Sequence, residues 1–452
     1  MSPVELRASL SLAAIFGLRL LGMFVILPVF AIHAEHLPGG NNMVLVGVAI
    51  GAYGLTQAIL QIPFGWWSDR YGRKPIIYLG LAIFAIGSFV AALAPNIYVV
   101  IAGRVLQGAG AISAAVMAMA ADLTREEQRT KSMALIGSTI GLAFAFSLVI
   151  SPWLNGIIGV SGLFAMTGVL ALGAMLVVWR IVPDVAERRR TSHVGAIREF
   201  LSVLRDPQLG RLNYGIFALH AVLMTLFIAV PFSLRDAGLP LLEHWKVYLP
   251  VMLGSFVLMV PAIAGRGNAR WTRAYFIGSV ALILIAHLAL PWLNEDVYKL
   301  GLFLLLFFTP FNVLEAMLPS LTSRLAPPES RGVAIGVYSS VQFFGTFVGA
   351  AAGGYLYGRF GLAGVVIADV VLLVIWLMAA LGMKMPQPVS TRSYSLPALD
   401  TGRVEQLCVR LRALPGVREA SVAADARTAW LKVDSAGFDE DNVLNIIAGK
   451  ES

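Results

Sequence analysis

The chain has 452 residues, 58% of them hydrophobic and only 13% charged, with a mean hydropathy of +0.77. Soluble domains carry about 25% charged residues, so this composition fits lipid rather than water as the main solvent. The net charge of +8 lies in alternate loops, which excludes a nucleic-acid reading, and one cysteine excludes a disulfide framework or a cysteine-based metal cluster.

A spanning helix needs about 20 mostly apolar residues. Twelve such runs follow in chain order, near 9–33, 44–66, 75–94, 97–121, 132–157, 162–182, 212–234, 246–264, 274–293, 299–322, 333–357 and 362–383. Only Glu5 and Arg7 carry charge ahead of the first, so no cleavable signal peptide is expected. Runs this long exclude a β-barrel, whose strands alternate over about ten residues.

Basic residues choose the orientation. The second loop carries Arg70, Arg73 and Lys74, the fourth Arg125, Arg129 and Lys131, the eighth Arg266, Arg270 and Arg273, and the tenth Arg324 and Arg331. The central linker adds Arg188, Arg189, Arg190, Arg198, Arg205 and Arg211. The odd-numbered loops are nearly free of them, apart from Arg235 and Lys246 in the seventh. The positive-inside bias therefore predicts cytoplasmic termini and linker.

The two halves match at an offset of about 200 residues. Leu123-Thr-Arg-Glu-Glu127-Gln-Arg129 aligns with Leu325-Ala-Pro-Pro-Glu329-Ser-Arg331, Pro28 with Pro231, and Gly65 with Gly267. The expected division is 1–182, a six-helix half; 183–211, a linker; 212–384, the second half; 385–400, a second linker; and 401–452, a soluble tail. Paired repeats place a substrate site at their interface near the bilayer midplane, reached by rocking.

After Lys384 the prolines Pro386, Pro388 and Pro397 mark the second linker. Val404, Leu407, Cys408 and Leu411 then fall on one helical face. Val417–Ala423 and Ala429–Val433 read as a hairpin about Asp425-Ala426-Arg427, and Val443, Ile446 and Ile447 as a second helical stripe. With 394–396 as a candidate first strand, the order β-α-β-β-α resembles a ferredoxin-like domain. The Cys-x-x-Cys of metal-binding versions is absent, so Cys408 reads as a core thiol. Trp430 and Lys432 point away from the Leu431/Val433 face, a pattern that reads equally as a sheet face for a ligand or docking partner and as an ordinary solvent-exposed tryptophan.

The loop Gly65-Trp66-Trp67-Ser68-Asp69-Arg70-Tyr71-Gly72-Arg73-Lys74 resembles motif A of the major facilitator superfamily. The resemblance covers about residues 9–384 and implies that family's twelve-helix fold, an all-α polytopic membrane protein here with a small α+β tail. It also implies a cytoplasmic latch, in which Asp69 meets the N-terminal end of the eleventh helix near Arg331–Ala334. The helix dipole there favours an anion. Asp122 and Arg129 fall at family positions that extend this network. Arg104, in Gly103-Arg104-Val-Leu-Gln107-Gly108, resembles motif B; an intramembrane arginine costs at least about 2.5 kcal/mol, so it should face the bundle interior and find a partner. Gly137, Gly141, Ser147, Ser151, Pro152 and Gly156 resemble motif C of drug/proton antiporters, with serines where glycines are usual.

Intramembrane ionisable groups are functional candidates by default. Glu315 lies four residues before Pro319, which has no N–H to offer the Glu315 carbonyl. A carboxyl beside a locally opened helix suits proton binding. His220 in the seventh helix can titrate near neutral pH. Arg19 either balances charge inside the first helix or snorkels to the cytoplasmic interface. Glu315, His220, Arg104 and Arg19 are thus the proton-coupling candidates. His287 is expected to reach the interface from the end of its helix, and Asp369 has only a polar neighbour contact in prospect. Phe24, Gln57, Gln61, Gln107, Met224, Phe227, Phe308, Phe311 and Asn312 are the expected cavity liners, a Met- and Phe-rich set that suits a lipophilic compound better than a sugar.

The expectation is a secondary active transporter coupling a small-molecule substrate to protons, most simply by export. No Gly-x-x-x-x-Gly-Lys-Ser/Thr loop signals ATP drive. No catalytic constellation marks an enzyme, and no cofactor or metal set is read. Proton symport, or a transporter-like sensor working through its tail, are the alternatives.

Overall fold

The computed structural model describes residues 1–184, 196–264, 269–327, 330–384, 389–396, 401–423, 428–434 and 438–447. Two compact units divide the chain: Met1–Pro261 with Phe276–Met383, and Ala262–Tyr275 with Lys384–Ser452. Gly267, Glu329, Arg188–Arg190, the three linker prolines and the tip 425–427 lie outside the described residues.

The first crossing is α1 (Pro3–Phe24) and α2 (Leu27–Ala34), broken at Val25–Ile26 ahead of Pro28. A capping box starts α1: Ser2 Oγ accepts from the Glu5 amide at 3.2 Å, and the Glu5 carboxylate accepts from the Ser2 amide at 2.6 Å. α3 (Met43–Tyr71) turns into α4 (Arg73–Ala92) through Gly72 alone, at φ +96°. A side chain is strained there, so the motif glycine is a backbone requirement. α5 (Ile97–Ala109) and α6 (Ser113–Asp122) form the fourth crossing.

α7 (Glu126–Arg180) carries the fifth and sixth runs as one helical element, bent at Gly159 with φ 67°, ψ 174°. In the other half, α9 (Pro207–Asp236), α10 (Trp245–Ala264), α11 (Ala269–Leu293) and α12 (Val297–Leu325) precede α13 (Arg331–Leu381). α13 bends in the same way at Gly361, φ 62°, ψ −155°. Among the described residues ten continuous helical runs are apolar enough to cross a membrane, and the two of 50 and 51 residues are long enough to cross twice. The twelve expected runs are therefore present, two pairs of them fused at single glycines spaced by the repeat offset. Both glycines occupy a region that costs a side chain about 1–3 kcal/mol. Gly361→Ala is expected to lower stability by about that amount, read as an earlier thermal unfolding midpoint in detergent.

Small residues let the helices touch backbone to backbone, the packing available where lipid removes the hydrophobic drive. A methyl at Gly87 or Gly103 would run into the partner backbone across α4 and α5. Gly345, Gly349 and Gly353 of α13 lie against Phe217, Ala221 and Thr225 of α9 in the same way.

The linker holds a helix that the sequence reading leaves out. α8 (Ala196–Arg205) buries Val203 and part of Phe200 against Leu209, Ala326, Ala334 and Val337. It is thereby packed on the second half.

In the second unit, β1 (Val389–Ser395), α14 (Thr401–Arg412), β2 (Val417–Ala423), β3 (Thr428–Asp434) and α15 (Glu440–Ile447) follow the expected order. The antiparallel sheet has the order β1-β3-β2. β1 is longer than the expected 394–396 and starts inside the stretch read as linker, because all seven of its residues pair with β3. Ala429, Leu431 and Val433 alternate inward onto Leu411 and Val443, while Trp430 is exposed. The Cys408 thiol donates to the Ala420 carbonyl at 3.1 Å and packs against this core. The Lys432 side chain is outside the described set.

Candidate functional site

A cavity of about 100 Å³ lies between the halves. α1, α3, α6 and α7 wall it on one side, and α9, α12 and α13 on the other. Of the expected liners, Phe24, Gln61, Phe311 and Asn312 face it, as do Gly141, His220 and Glu315. Phe144 extends across it and packs on Phe227, Phe308 and Phe311 with ring centroids 5.8–6.1 Å apart. These rings join the two halves at the cavity.

The other expected liners stand elsewhere. Phe227 and Phe308 line a smaller space beside Tyr248 and Leu304. Met224 is packed inside the second half. Gln57 and Gln107 are fully buried because arginines engage them. Gln57 accepts from Arg19 and donates to Gln61 at 3.1 Å. Gln107 accepts from Arg104 at 3.0 Å and donates to Ser88 at 2.8 Å.

Arg19 does not snorkel. It is 3% exposed, donates to Ser113 at 3.0 Å and lies 5.7 Å from the Tyr53 ring. Arg104 is 1% exposed. It donates to the Ala49 and Ile50 carbonyls at 3.3 and 3.1 Å and sits 5.2 Å from the same ring. Neither arginine makes an ion pair among the described residues. Arg19 reaches the cavity through Ser113 and Gln61, whereas Arg104 ties α5 to α3 behind it.

Glu315 and His220 are brought together by a residue that sequence reasoning missed. The Gln342 amide donates to Glu315 Oε1 at 3.2 Å and stands 2.9 Å from His220 Nε2. The ring and the carboxylate are themselves 3.9 Å apart, and His220 Nδ1 is 3.3 Å from the Ile216 carbonyl. A ring that donates through Nδ1 leaves Nε2 free to accept, so one amide serves both acceptors. Glu315 Oε2 has no hydrogen-bond partner among the described residues. The acid is thus held by one oxygen, while the other is buried without a hydrogen bond, 3.9 Å from His220 Nε2.

At one end of the bundle the halves meet closely. Gly47, Gly51 and Gly54 of α3 lie against the α13 backbone at Ala350, Phe347 and Phe343. Gly156 faces Leu242, and Arg235 pairs with Glu35 at 2.8 Å. Lys246 is likewise paired, with Glu243 at 2.7 Å, so both basic exceptions of the seventh loop have carboxylate partners. The Glu35–Arg235 pair is 40% exposed on each side and is worth up to about 1 kcal/mol. Arg235→Ala is expected to shift the population of this closed end by up to about fivefold, and added salt should produce a similar shift in the parent protein. Spin-label distances between α2 and α9 would read both.

The other end differs. Gly137 and Gly141 of α7 and Gly332 and Gly336 of α13 face open space. The motif A residues gather here within the first half. Arg73 pairs with Asp69, with Asp122 at 3.0 Å and with Ser68 Oγ at 2.8 Å. Lys74 pairs with Asp184 at 2.7 Å. Arg70 lies 5.6 Å from the rings of Trp66 and Tyr71, and Gly65 packs against Ala114. The Arg129 side chain lies outside the described set.

The expected contact of Asp69 with Arg331–Ala334 is absent among the described residues. Asp69 turns to Arg73, and Ala334 packs with Val203 and Leu209 instead. The halves are apart at this end, so the latch cannot span them. In the motif C stretch, Ser147 and Ser151 donate to the Leu21 and Val25 carbonyls of the first crossing, and Pro152 lies within α7. The serines bind α7 to the break between α1 and α2, a task glycine could not perform.

The profile of the Major Facilitator Superfamily matches residues 12–338. The chain is 44% identical to the inner membrane transport protein YajR of Escherichia coli, over 96% of each chain. It is 25% identical to the multidrug resistance protein MdtH of Proteus mirabilis, over 75% of this chain and 84% of that one. A bacterial homolog of the human lysosomal transporter Spinster, solved inward-facing and unoccupied, shares the fold with a TM-score of 0.67. It is 15% identical over 84% of this chain and 98% of that one. A multi-pass bundle with a cavity between two halves, a motif A loop and a profile match over most of its length place this chain in the major facilitator superfamily of membrane transporters.

Proposed function

We propose that this chain exports a small lipophilic or cationic molecule from a bacterial cytoplasm in exchange for protons. The observation that carries the reading is the Glu315–Gln342–His220 group, set into a phenylalanine-lined cavity between the halves. The Glu315 carboxylate, which lines the cavity, can take a proton or face a cation, and it cannot do both. Mutually exclusive binding is the elementary requirement of antiport. The membrane potential adds about 2.3 kcal/mol per charge per 100 mV. Basic loops at the open end support a cavity facing the cytoplasm here, with cytoplasmic termini and an inner-membrane address. The names of relatives such as MdtH favour drug-like cargo. The sheet order β1-β3-β2 supports a ferredoxin-like tail that docks a ligand or partner.

The test is proton movement in proteoliposomes, with an internal pH dye and a panel of lipophilic, cationic and neutral compounds. Proton flux triggered by one class supports antiport and names the cargo. Compound flux with no proton movement would reject the coupling. Cotransport of compound and proton in the same direction would replace export by symport.

A further inference from the structure

The expectation for His287 was wrong, and Asp369 has an unexpected surrounding. His287 of α11 and Asp369 of α13 are both 0% exposed. His287 Nε2 lies 3.7 Å from Asp369 Oδ2, and Thr225 Oγ1 of α9 lies 2.7 Å from that same oxygen. Neither residue lines the central cavity. α12 presents only the rings of Phe303 and Phe307 to the imidazole, with centroids 5.6 and 5.7 Å away. No Lys or Arg comes within 4.0 Å of Asp369, and no other carboxylate within 4.0 Å of His287, among the described residues.

Counting hydrogens restricts what this group can be. His287 Nδ1 lies 2.8 Å from the Ile283 carbonyl, so that nitrogen carries a hydrogen and donates. Among the described residues Nε2 has no hydrogen-bond partner, and neither has Asp369 Oδ1. Thr225 Oγ1 is 2.7 Å from the Val222 carbonyl as well as from Asp369. Its one hydrogen can serve only one of those two acceptors. With a carboxylic acid at Asp369, Oδ2–H donates to Thr225, and Thr225 donates to Val222. A carboxylate takes the threonine hydrogen and leaves Val222 without it. An anion enclosed here with a neutral imidazole is costly, so the displaced proton belongs on Nε2, whose lone pair forms the new N–H bond. The group thus offers two positions for a proton, Asp369 Oδ2 and His287 Nε2, and as a whole it can gain or lose one.

We propose that Asp369, His287 and Thr225 form a second proton-binding site, enclosed in the second half and separate from Glu315. α9 and α13 are in contact at this position, since a methyl at Gly353 would stand 3.1 Å from Thr225, one turn from their tighter approach at Gly349 and Ala221. Loss of the Asp369 proton, to His287 or out of the group, turns the Thr225 hydroxyl between two acceptors at that contact. Proton occupancy is thereby tied to the packing of α9, the helix that also carries His220. The inference does not depend on Glu315 being the coupling acid.

Infrared difference spectra between mildly acidic and mildly alkaline buffer test it, on the full chain in nanodiscs carrying Glu315→Gln to silence the cavity acid. The expected result is a protonated-carboxyl band that changes with pH and disappears on adding Asp369→Asn. Thr225→Val should shift its frequency, and His287→Gln should move its midpoint by a pH unit or more. If Asp369→Asn does not fold, the last two variants carry the test on the intact carboxyl. A band that does not titrate, that survives Asp369→Asn, or that keeps its frequency and midpoint in both other variants would overturn the proposal.

Discussion

Glu315→Gln is expected to reduce compound-driven proton flux to the level of empty liposomes, with the bundle still folded. The substitution is nearly isosteric and keeps an oxygen able to accept from Gln342, so the 3.2 Å contact survives. What disappears is the capacity to bind and release a proton at this carboxylate. The variant imitates a permanently protonated acid, so it should also bind a cationic cargo more weakly. A thermal melt near that of the parent, together with absent flux, would assign the loss to coupling rather than to folding. Retained coupling would move the proton site elsewhere, and His220→Gln would be the next variant to measure.

Gly54→Leu should expel the bundle from the conformation described above. A methyl at this position would stand 2.6 Å from the Phe343 carbonyl oxygen. That neighbour is backbone in a packed helix and has little room to give. Overpacking of this kind costs about 1–3 kcal/mol, or about 5- to 150-fold in a two-state population. The strain exists only while α3 and α13 touch at the Glu35–Arg235 end, so the population should move toward the state closed at the motif A end. There, Asp69 could meet the start of α13. The readout is labelling of a cysteine at Ser339, which lines the cavity, with the single native Cys408 replaced first. Labelling by an impermeant maleimide from the motif A side should fall in Gly54→Leu. Unchanged labelling would mean that this contact does not distinguish the states.

How much of this was legible depended on what each residue costs in lipid. The spans could be read because lipid demands long apolar runs, and Glu315 could be read because a carboxyl within one is expensive. Gln342 escaped because a neutral amide hardly lowers the hydropathy of its helix, although it is the piece that joins Glu315 to His220. Phe144 escaped because a cavity phenylalanine and a packing phenylalanine look alike in one dimension. Gln57 and Gln107 were recognised as interior amides but assigned to the cavity, since nothing local says that Arg19 and Arg104 engage them first. His287 and Asp369 lie in separate crossings, and only tertiary structure places them 3.7 Å apart. α8 was passed over because Phe200 and Val203 form too brief a stripe within a basic stretch.

The bends at Gly159 and Gly361 also bear on how this molecule can be engineered. A hairpin joined by a surface loop gives a protease something to cut and an epitope somewhere to sit. Here the fifth and sixth crossings, and the eleventh and twelfth, turn on a single residue with φ near 65°, leaving no spare chain between them. A tag inserted at either bend would have to unwind helix on both sides before it could emerge. Topology mapping and affinity reagents should therefore be directed at the connections between α2 and α3 and between α11 and α12, where the chain leaves the helices for several residues.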